Sequence, residues 1–546
     1  MAMCDKMQVY NDHYDVIVVG GGATGAGVAR DCALRGLKTL LLEARDMASG
    51  ASGRNHGLLH SGARYAVTDS ASARECIAEN RILRVIARHC VEPTGGLMVT
   101  LPQDDLAYQA TFVDACQAAG IDATVIDPAE ALQLEPGLNP ALQGAVRVPD
   151  AAIDPFRLVA ANVLDACAHG AVALNDHEVT GLEVTHGRVT GVQVADHRDR
   201  QRHTIRAEVT VVAAGCWTQR VLAMAGVQLT MLASKGTMVI TSHRMGTMVL
   251  NRCRRPANGD ILVPDGHVSL LGTTSLTIDQ RDIDEVRATP DEVDLLIAEG
   301  AQLAPGLERA RVMRAYAGVR PLVADDSDAS GRTISRGIVV LDHARRDGIE
   351  GLVTITGGKL MTYRLMAERA TDVVCAKLHN TTPCTTATQP LPGSEPVDDR
   401  APRPATVTPM AAVRYGARAG VVAASTASDR AMVCECQGVT LAELKYAVDK
   451  RQAHDLTQLM HRTRLGMGAC QGRVCATRAA IIMSGLRNNP VATRTLLEQF
   501  VRNRWRGLQP VAWGDTLRDA YRTTVLYQGL CGLTSAAPHN EGGDHE

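Results

Sequence analysis

Residues 14–43 read YDVIVVGGGATGAGVARDCALRGLKTLLLE. An apolar run at 16–19 leads into Gly20, Gly22 and Gly25 in GxGxxG spacing; a helical stretch reaches Arg35, Gly36 closes it, and a second apolar run ends in Glu43. Strand, helix, strand and terminal acid in this order form a complete βαβ dinucleotide fingerprint. The glycines permit a tight turn and close approach of a pyrophosphate, which the free N–H groups and dipole of the helix N-terminus favour. Glu43, 18 residues beyond Gly25, is placed to accept hydrogen bonds from a ribose hydroxyl. An ADP half is thereby expected, and FAD and NAD both carry one.

A chain of 546 residues, 45% apolar, is too long for one core and predicts two to four domains. A formal net charge of −2 gives no footing for nucleic-acid binding. The first dozen residues hold no apolar region behind a basic start, and no eighteen apolar residues run together. Neither a signal peptide nor a membrane span is expected, so the cytoplasm is the expected compartment. Most of the 15 cysteines, such as Cys32, Cys76, Cys116 and Cys167, stand singly in apolar context and read as reduced core thiols.

Directly after Glu43 comes MASGASGRNHGLLHSGARYAV, residues 47–67, with four glycines, Arg54, His56, His60, Arg64 and Tyr65. Two histidines and two arginines within one eleven-residue span after a nucleotide-binding strand point to a surface wrapped on a cofactor's reactive ring, with Ser52, Arg54 and His56 as cofactor contacts. The fingerprint, the Ser/Gly loop and HSGARY together resemble the FAD-dependent glycerol-3-phosphate dehydrogenases. That resemblance implies FAD, a loop lying against the flavin, and an α/β fold: a Rossmann-like FAD-binding domain of the D-amino-acid-oxidase type with an inserted α+β substrate domain.

Residues 14–80, 145–230 and 331–378 are expected to form the FAD domain, and 81–144 with 231–330 the substrate domain. EVTGLEV and RVTGVQV read as two strands joined across His186 and Gly187; EVTVVAAGCWT, residues 208–218, places Ala214 and Gly215 after a buried strand, where they resemble a second fingerprint under the nucleotide. Polar residues close the later strands: Lys235-Gly236-Thr237, Gly272-Thr273-Thr274 and Ala317-Gly318-Val319-Arg320-Pro321-Leu322. The related dehydrogenases share GVRPL with its arginine in the substrate pocket, then a Ser-Arg pair, here Ser335-Arg336, and a flavin-facing GGKLMTYR, here 357–364 with Gly357 and Gly358. Arg64, Arg320, Arg336 and Lys359 are thus expected to converge on a phosphate dianion, since guanidinium forks bind it bidentately and an ammonium adds a point charge. Arg320 and Lys359 are also taken as catalytic.

Residues 379–430, rich in Pro, Thr and Ala, read as a linker. The following unit, 431–485, carries Cys434 and Cys436 as CxC and Cys470 and Cys475 as CxxxxC after a spacer of about 33 residues. Thr440 and Glu443 form a capping box, Asp455 can cap a second helix, and Cys475 opens a third, whose N-terminus favours a thiolate. Four thiolates in a small helical module are a metal site. Zinc competes with iron–sulfur, yet CxC lies outside the usual zinc spacing, and the arrangement resembles the bacterioferritin-associated-ferredoxin-like [2Fe-2S] domain. Residues 486–535 read as a helical segment that suits a partner surface, and 536–546 as a disordered tail.

Flavin body, linker and cluster module in sequence resemble the anaerobic, cluster-bearing branch of the FAD-dependent glycerol-3-phosphate dehydrogenases. The resemblance implies oxidation of sn-glycerol 3-phosphate to dihydroxyacetone phosphate with FAD, a B subunit, and an iron–sulfur C subunit that holds the complex at the cytoplasmic face of the inner membrane and passes electrons to a quinone. One departure stands out. Aerobic relatives carry Lys-Gly-x-His where this chain has Lys235-Gly236-Thr237-Met238, so His60 becomes the expected base, ahead of His56 and the more remote His343. Two other readings remain open: an amino-acid or amine dehydrogenase, for whose aromatic cage three phenylalanines supply little, and a non-catalytic scaffold binding nucleotide and zinc.

Overall fold

The computed structural model describes residues 6–323, 337–396 and 405–533. Arg336 and the tail 536–546 lie outside them.

Four parallel pairings build the first sheet. His13–Val19 lies between Arg202–Val212 and Thr39–Leu42; Val172–Leu174 adds at one side and Leu352–Gly357 at the other. Strands covered on both faces must be apolar throughout, and Val16, Ile17, Val18, Leu40 and Leu41 are fully buried. Val16, Val18 and Leu41 meet the helices Ala23–Leu34 and Tyr363–Lys377 through Val28, Ala29, Ala367 and Ala370. Ile17 and Leu40 point the other way, onto Val192 and Val194 of the hairpin His177–Thr185/Arg188–Asp196. That hairpin turns on His186 and Gly187, both at positive φ, as the sequence expected.

A second sheet of nine strands is centred on Met231–Thr241, which pairs antiparallel with Val312–Val323 from Met231 to Thr241. Gly96–Thr100 and Gly144–Val148 belong to this sheet, so the return to the first domain comes after 148 rather than at 145. Helix Pro155–Ala168, N-capped by Asp154, completes that return.

The expected linker is corrected. Within 379–396, Leu391 is fully buried beside Leu83, Ile86 and Tyr363, and its N–H donates to the Ile86 carbonyl at 2.8 Å. Helix Pro409–Tyr415 then packs its own apolar cluster against Tyr446 of the module. Composition without periodicity reads as flexible, but single anchored residues fix such a segment.

The module consists of helices Leu441–Asp449, Leu456–Thr463 and Cys475–Leu486, with the Thr440/Glu443 box and the Asp455 cap both formed. Ala492–Leu508 closes its core through Leu496, Leu497 and Phe500. Gly514–Thr524 ties it to the second sheet, since Asp519 pairs with both Arg311 and Arg473. No helix of the described residues is long and apolar enough to cross a membrane.

Candidate functional site

A cavity of about 1060 Å³ opens at the C-terminal ends of the first sheet and runs to the second sheet. Gly20, at φ +113°, makes the turn after His13–Val19; a Cβ there would stand 2.6 Å from the Ala213 carbonyl. Gly25 lies off the cavity and serves the packing, since a Cβ would come within 1.9 Å of the Gly20 carbonyl. Gly22 is the helix N-cap and lines the cavity, with Ser52 Oγ accepting from the Ala23 N–H at 2.9 Å. Glu43 lines it too: its carboxylate accepts from the N–H groups of Gly21 (2.7 Å) and Arg45 (2.9 Å), while burial pushes its pKa up against those bonds. Arg54, His56, Ala214, Gly215, Gly357 and Gly358 complete this wall.

At the other end stand the cations. Arg320, on Val312–Val323, is steered by neutral oxygens: Ser234 Oγ and the Lys235 carbonyl at 3.3 Å, the Thr274 carbonyl at 3.0 Å, and the Thr273 hydroxyl. Its room comes from Gly236, where a Cβ would lie 2.6 Å from Nη2. Lys359 Nζ stands 4.6 Å from the centroid of the Tyr65 ring. His60, 6% exposed, stacks obliquely on the same Tyr65 with centroids 5.5 Å apart, and His56 lies edge-on to His60 at 6.1 Å. Tyr65 therefore joins base candidate and ammonium, a role its place in HSGARY did not announce. Arg64 lines the cavity but is matched at 2.8 Å by fully buried Asp260, with Asn251 at 2.8 Å. Lys235 is likewise spent on Glu292 at 2.7 Å, and Met238 forms part of the cavity wall. His343 lies elsewhere, between Asp347 and Thr354 at 2.5 and 2.8 Å.

Could these walls hold FAD? A glycine-lined turn, a helix N-terminus aimed at the cavity and a buried carboxylate at the end of the second strand suit its ADP half, and the remaining space runs past His60 and Lys359.

In the module, the thiols of Cys434 and Cys470 each interact with Cys475, and Cys436 interacts with Cys470. Hydrogen bonding with Cys475 holds Cys434 and Cys470 below the usual thiol range and Cys475 above it; burial pushes Cys436 up. Gly468 allows the approach, because a Cβ there would meet Cys436 Cβ at 2.5 Å. Four free thiols gathered in one small helical module suit a thiolate-bound [2Fe-2S] cluster.

The FAD dependent oxidoreductase family matches residues 15–364, and the BFD-like [2Fe-2S] binding domain matches 432–484. The A subunit of anaerobic glycerol-3-phosphate dehydrogenase from Escherichia coli (strain K12) is 55% identical over 527 residues, 95% of this chain and 97% of that one. The Haemophilus influenzae protein of the same name is 52% identical over 533 residues, 96% and 95% of the two chains. The structure of glycerol-3-phosphate dehydrogenase from Bacillus halodurans complexed with FAD aligns at TM-score 0.69 with 24% identity, covering 92% of this chain and 97% of that one, and shares the fold. With FAD and [2Fe-2S] domains in one chain and these identities across its length, the protein belongs to the family of anaerobic glycerol-3-phosphate dehydrogenase A subunits, within the FAD-dependent oxidoreductases.

Proposed function

We propose that this chain oxidises sn-glycerol 3-phosphate to dihydroxyacetone phosphate in the cavity between the two sheets. The observation that carries the reading is the placement of Arg320 and Lys359 in the cavity that the glycine turn opens into. Arg320 offers a fork and Lys359 a point charge to the phosphate dianion, and Arg336 joins them as the family motifs imply, while Arg64, matched by Asp260, shapes the cavity wall. His60, steadied by Tyr65, takes the C2 hydroxyl proton as the C2–H hydride leaves. Gly20, Gly22, Glu43, Ser52, Arg54, His56, Ala214, Gly215, Gly357 and Gly358 hold the cofactor. FAD, when bound, supplies a hydride acceptor, and the cluster on Cys434, Cys436, Cys470 and Cys475 a one-electron carrier.

The relatives are named as A subunits, and a multi-subunit complex follows. The partners we assign are a B subunit and a membrane-anchoring iron–sulfur C subunit that delivers electrons to a quinone at the cytoplasmic face of the inner membrane. Trp513, Leu517 and Tyr521, four residues apart along Gly514–Thr524 and its N-cap, are exposed beside the module and support docking there.

Steady-state kinetics test the clamp. A charge-assisted contact contributes about 1.5 to 3 kcal/mol, so Arg320→Met or Lys359→Met lowers kcat/KM for glycerol 3-phosphate by roughly 10- to 150-fold with FAD retained. Turnover of unphosphorylated glycerol, which never engages the clamp, changes little. Equal losses for both substrates would assign these cations to the flavin or the fold.

A further inference from the structure

Strand Val312–Val323 alternates its side chains, so Arg314, Tyr316, Gly318 and Arg320 share one face. Arg320 lies on the cavity between the two sheets. Partway along, the flavin loop crosses this face: the Tyr316 hydroxyl donates to the Asn55 carbonyl at 2.7 Å, and a Cβ on Gly318 would stand 2.5 Å from the Arg54 carbonyl. Beyond the crossing is a second cavity of about 1010 Å³, walled by the flavin loop, the second sheet, the cluster module and helix Ala492–Leu508, and Arg314 faces it.

Most acids of this cavity are already paired: Asp46 with Arg462 and His461, Asp154 and Asp265 with Arg464, Asp284 with Arg220, Glu92 with Arg244 and Glu285 with Arg287, while Asp176 accepts from the Gln458 side chain and Asp455 caps its helix through the Gln458 N–H. Arg314 and Arg504, together with Arg54, which lines both cavities, have no carboxylate within 4.0 Å among the described residues. The Nε atoms of Arg314 and Arg504 are buried and have no hydrogen-bond partner. Arg504 makes one long contact, from Nη2 to the Cys470 carbonyl at 3.5 Å. Like charges facing one cavity favour a counter-charge there, and a guanidinium fork is the group best matched to a tetrahedral oxyanion.

We propose that this second cavity binds a phosphate monoester at Arg314 and Arg504, with Arg54 at its edge, separately from the substrate clamp. The site lies between the flavin loop and the cluster-bearing loop, so its occupant would sit where the two redox modules meet.

Calorimetric titration of the FAD- and cluster-loaded protein with inorganic phosphate, at low ionic strength, reads both cavities. Two phosphate sites per chain are expected. Arg314→Met weakens one by about 10-fold or more, leaving the other, FAD content, iron content and kcat/KM for glycerol 3-phosphate in phosphate-free buffer within about twofold. Arg504→Met weakens the same site, and Arg314→Lys, which keeps the charge and loses the fork, gives an intermediate affinity. Lys359→Met weakens the other site alone. A single site, removed by Lys359→Met and untouched by Arg314→Met, overturns this inference and leaves the substrate clamp intact. A site sensitive to Arg314→Met but none sensitive to Lys359→Met overturns the clamp and leaves this inference.

Discussion

The flavin-domain sheet and the cluster module are held in place by opposite means. Val16, Val18, Leu41 and Val211 are fully buried between two layers, and burying each such side chain contributes about 1.5–3 kcal/mol without regard to pH or salt. The module has an apolar core of its own but meets the body through charge. Arg462 and His461 both reach Asp46 at 2.6 Å, Arg464 bridges Asp154 at 2.9 Å and Asp265 at 2.7 Å, and the His461 ring stacks on Phe156 with centroids 4.2 Å apart. The sheet must form for either cavity to exist. The seam only orients the module, and it can be loosened while both parts stay folded.

The largest effect tests the sheet side of this contrast. Gly25→Val puts a branched side chain where even a Cβ stands 1.9 Å from the Gly20 carbonyl, so helix and strand cannot pack, and FAD-free, largely insoluble protein is expected on purification. Soluble protein with one flavin per chain would show that the turn relaxes. The next effect is confined to the module. Cys470→Ser should lose iron and labile sulfide, while glycerol 3-phosphate still bleaches the flavin at a rate within about twofold of wild type, because the sheet does not depend on the module. Loss of flavin together with iron would join what the comparison separates.

What was legible in the sequence follows the same division. The fingerprint at 14–43, the His186-Gly187 turn and the Thr440/Glu443 box were readable because each is set by neighbours a few residues apart. The module seam was not, since Asp46 and His461 stand 415 residues apart and nothing local marks them as partners. Arg64 shows the same limit inside the cavity: its charge was visible, but its match with Asp260, 196 residues on, was not. Glycine at 236 could have been read as room for a neighbour, though not as room for Arg320. Leu391 was hidden by its Pro- and Thr-rich surroundings, where one anchored residue leaves no period to detect.

A third variant addresses the seam directly. Arg464→Met keeps the left-handed backbone that Arg464 already adopts at φ 66° but removes two ionic contacts, each of about 1.5–3 kcal/mol at most. Flavin bleaching should be unchanged, and electron transfer from flavin to cluster should slow by roughly 10-fold or more as the module leaves its docked position. An unchanged transfer rate would mean that the apolar contacts alone hold the module.

The smallest effect is a pH dependence, and its sign separates charge from packing at the seam. Burial pushes the Asp154 carboxyl up, but Arg157 and Arg464 outweigh it and bring the pKa down to about 2. An unfolded aspartate titrates near 3.9, so the folded value is depressed. The stabilisation is therefore complete above about pH 4 and is lost as pH falls from about 4 through about 2, an amount on the order of 2 kcal/mol. Asp154→Asn isolates the charge, because asparagine can still cap helix Pro155–Ala168 as Asp154 does through the Phe156 and Arg157 N–H groups. Urea midpoints followed by the fluorescence of exposed Trp505 and Trp513 should place the variant below wild type at pH 6, with the gap closing as pH falls from about 4 through about 2. A gap that stays constant across that range would mean that Asp154 acts through its shape and hydrogen bonds, and the seam would then resemble the sheet more closely than its ion pairs imply.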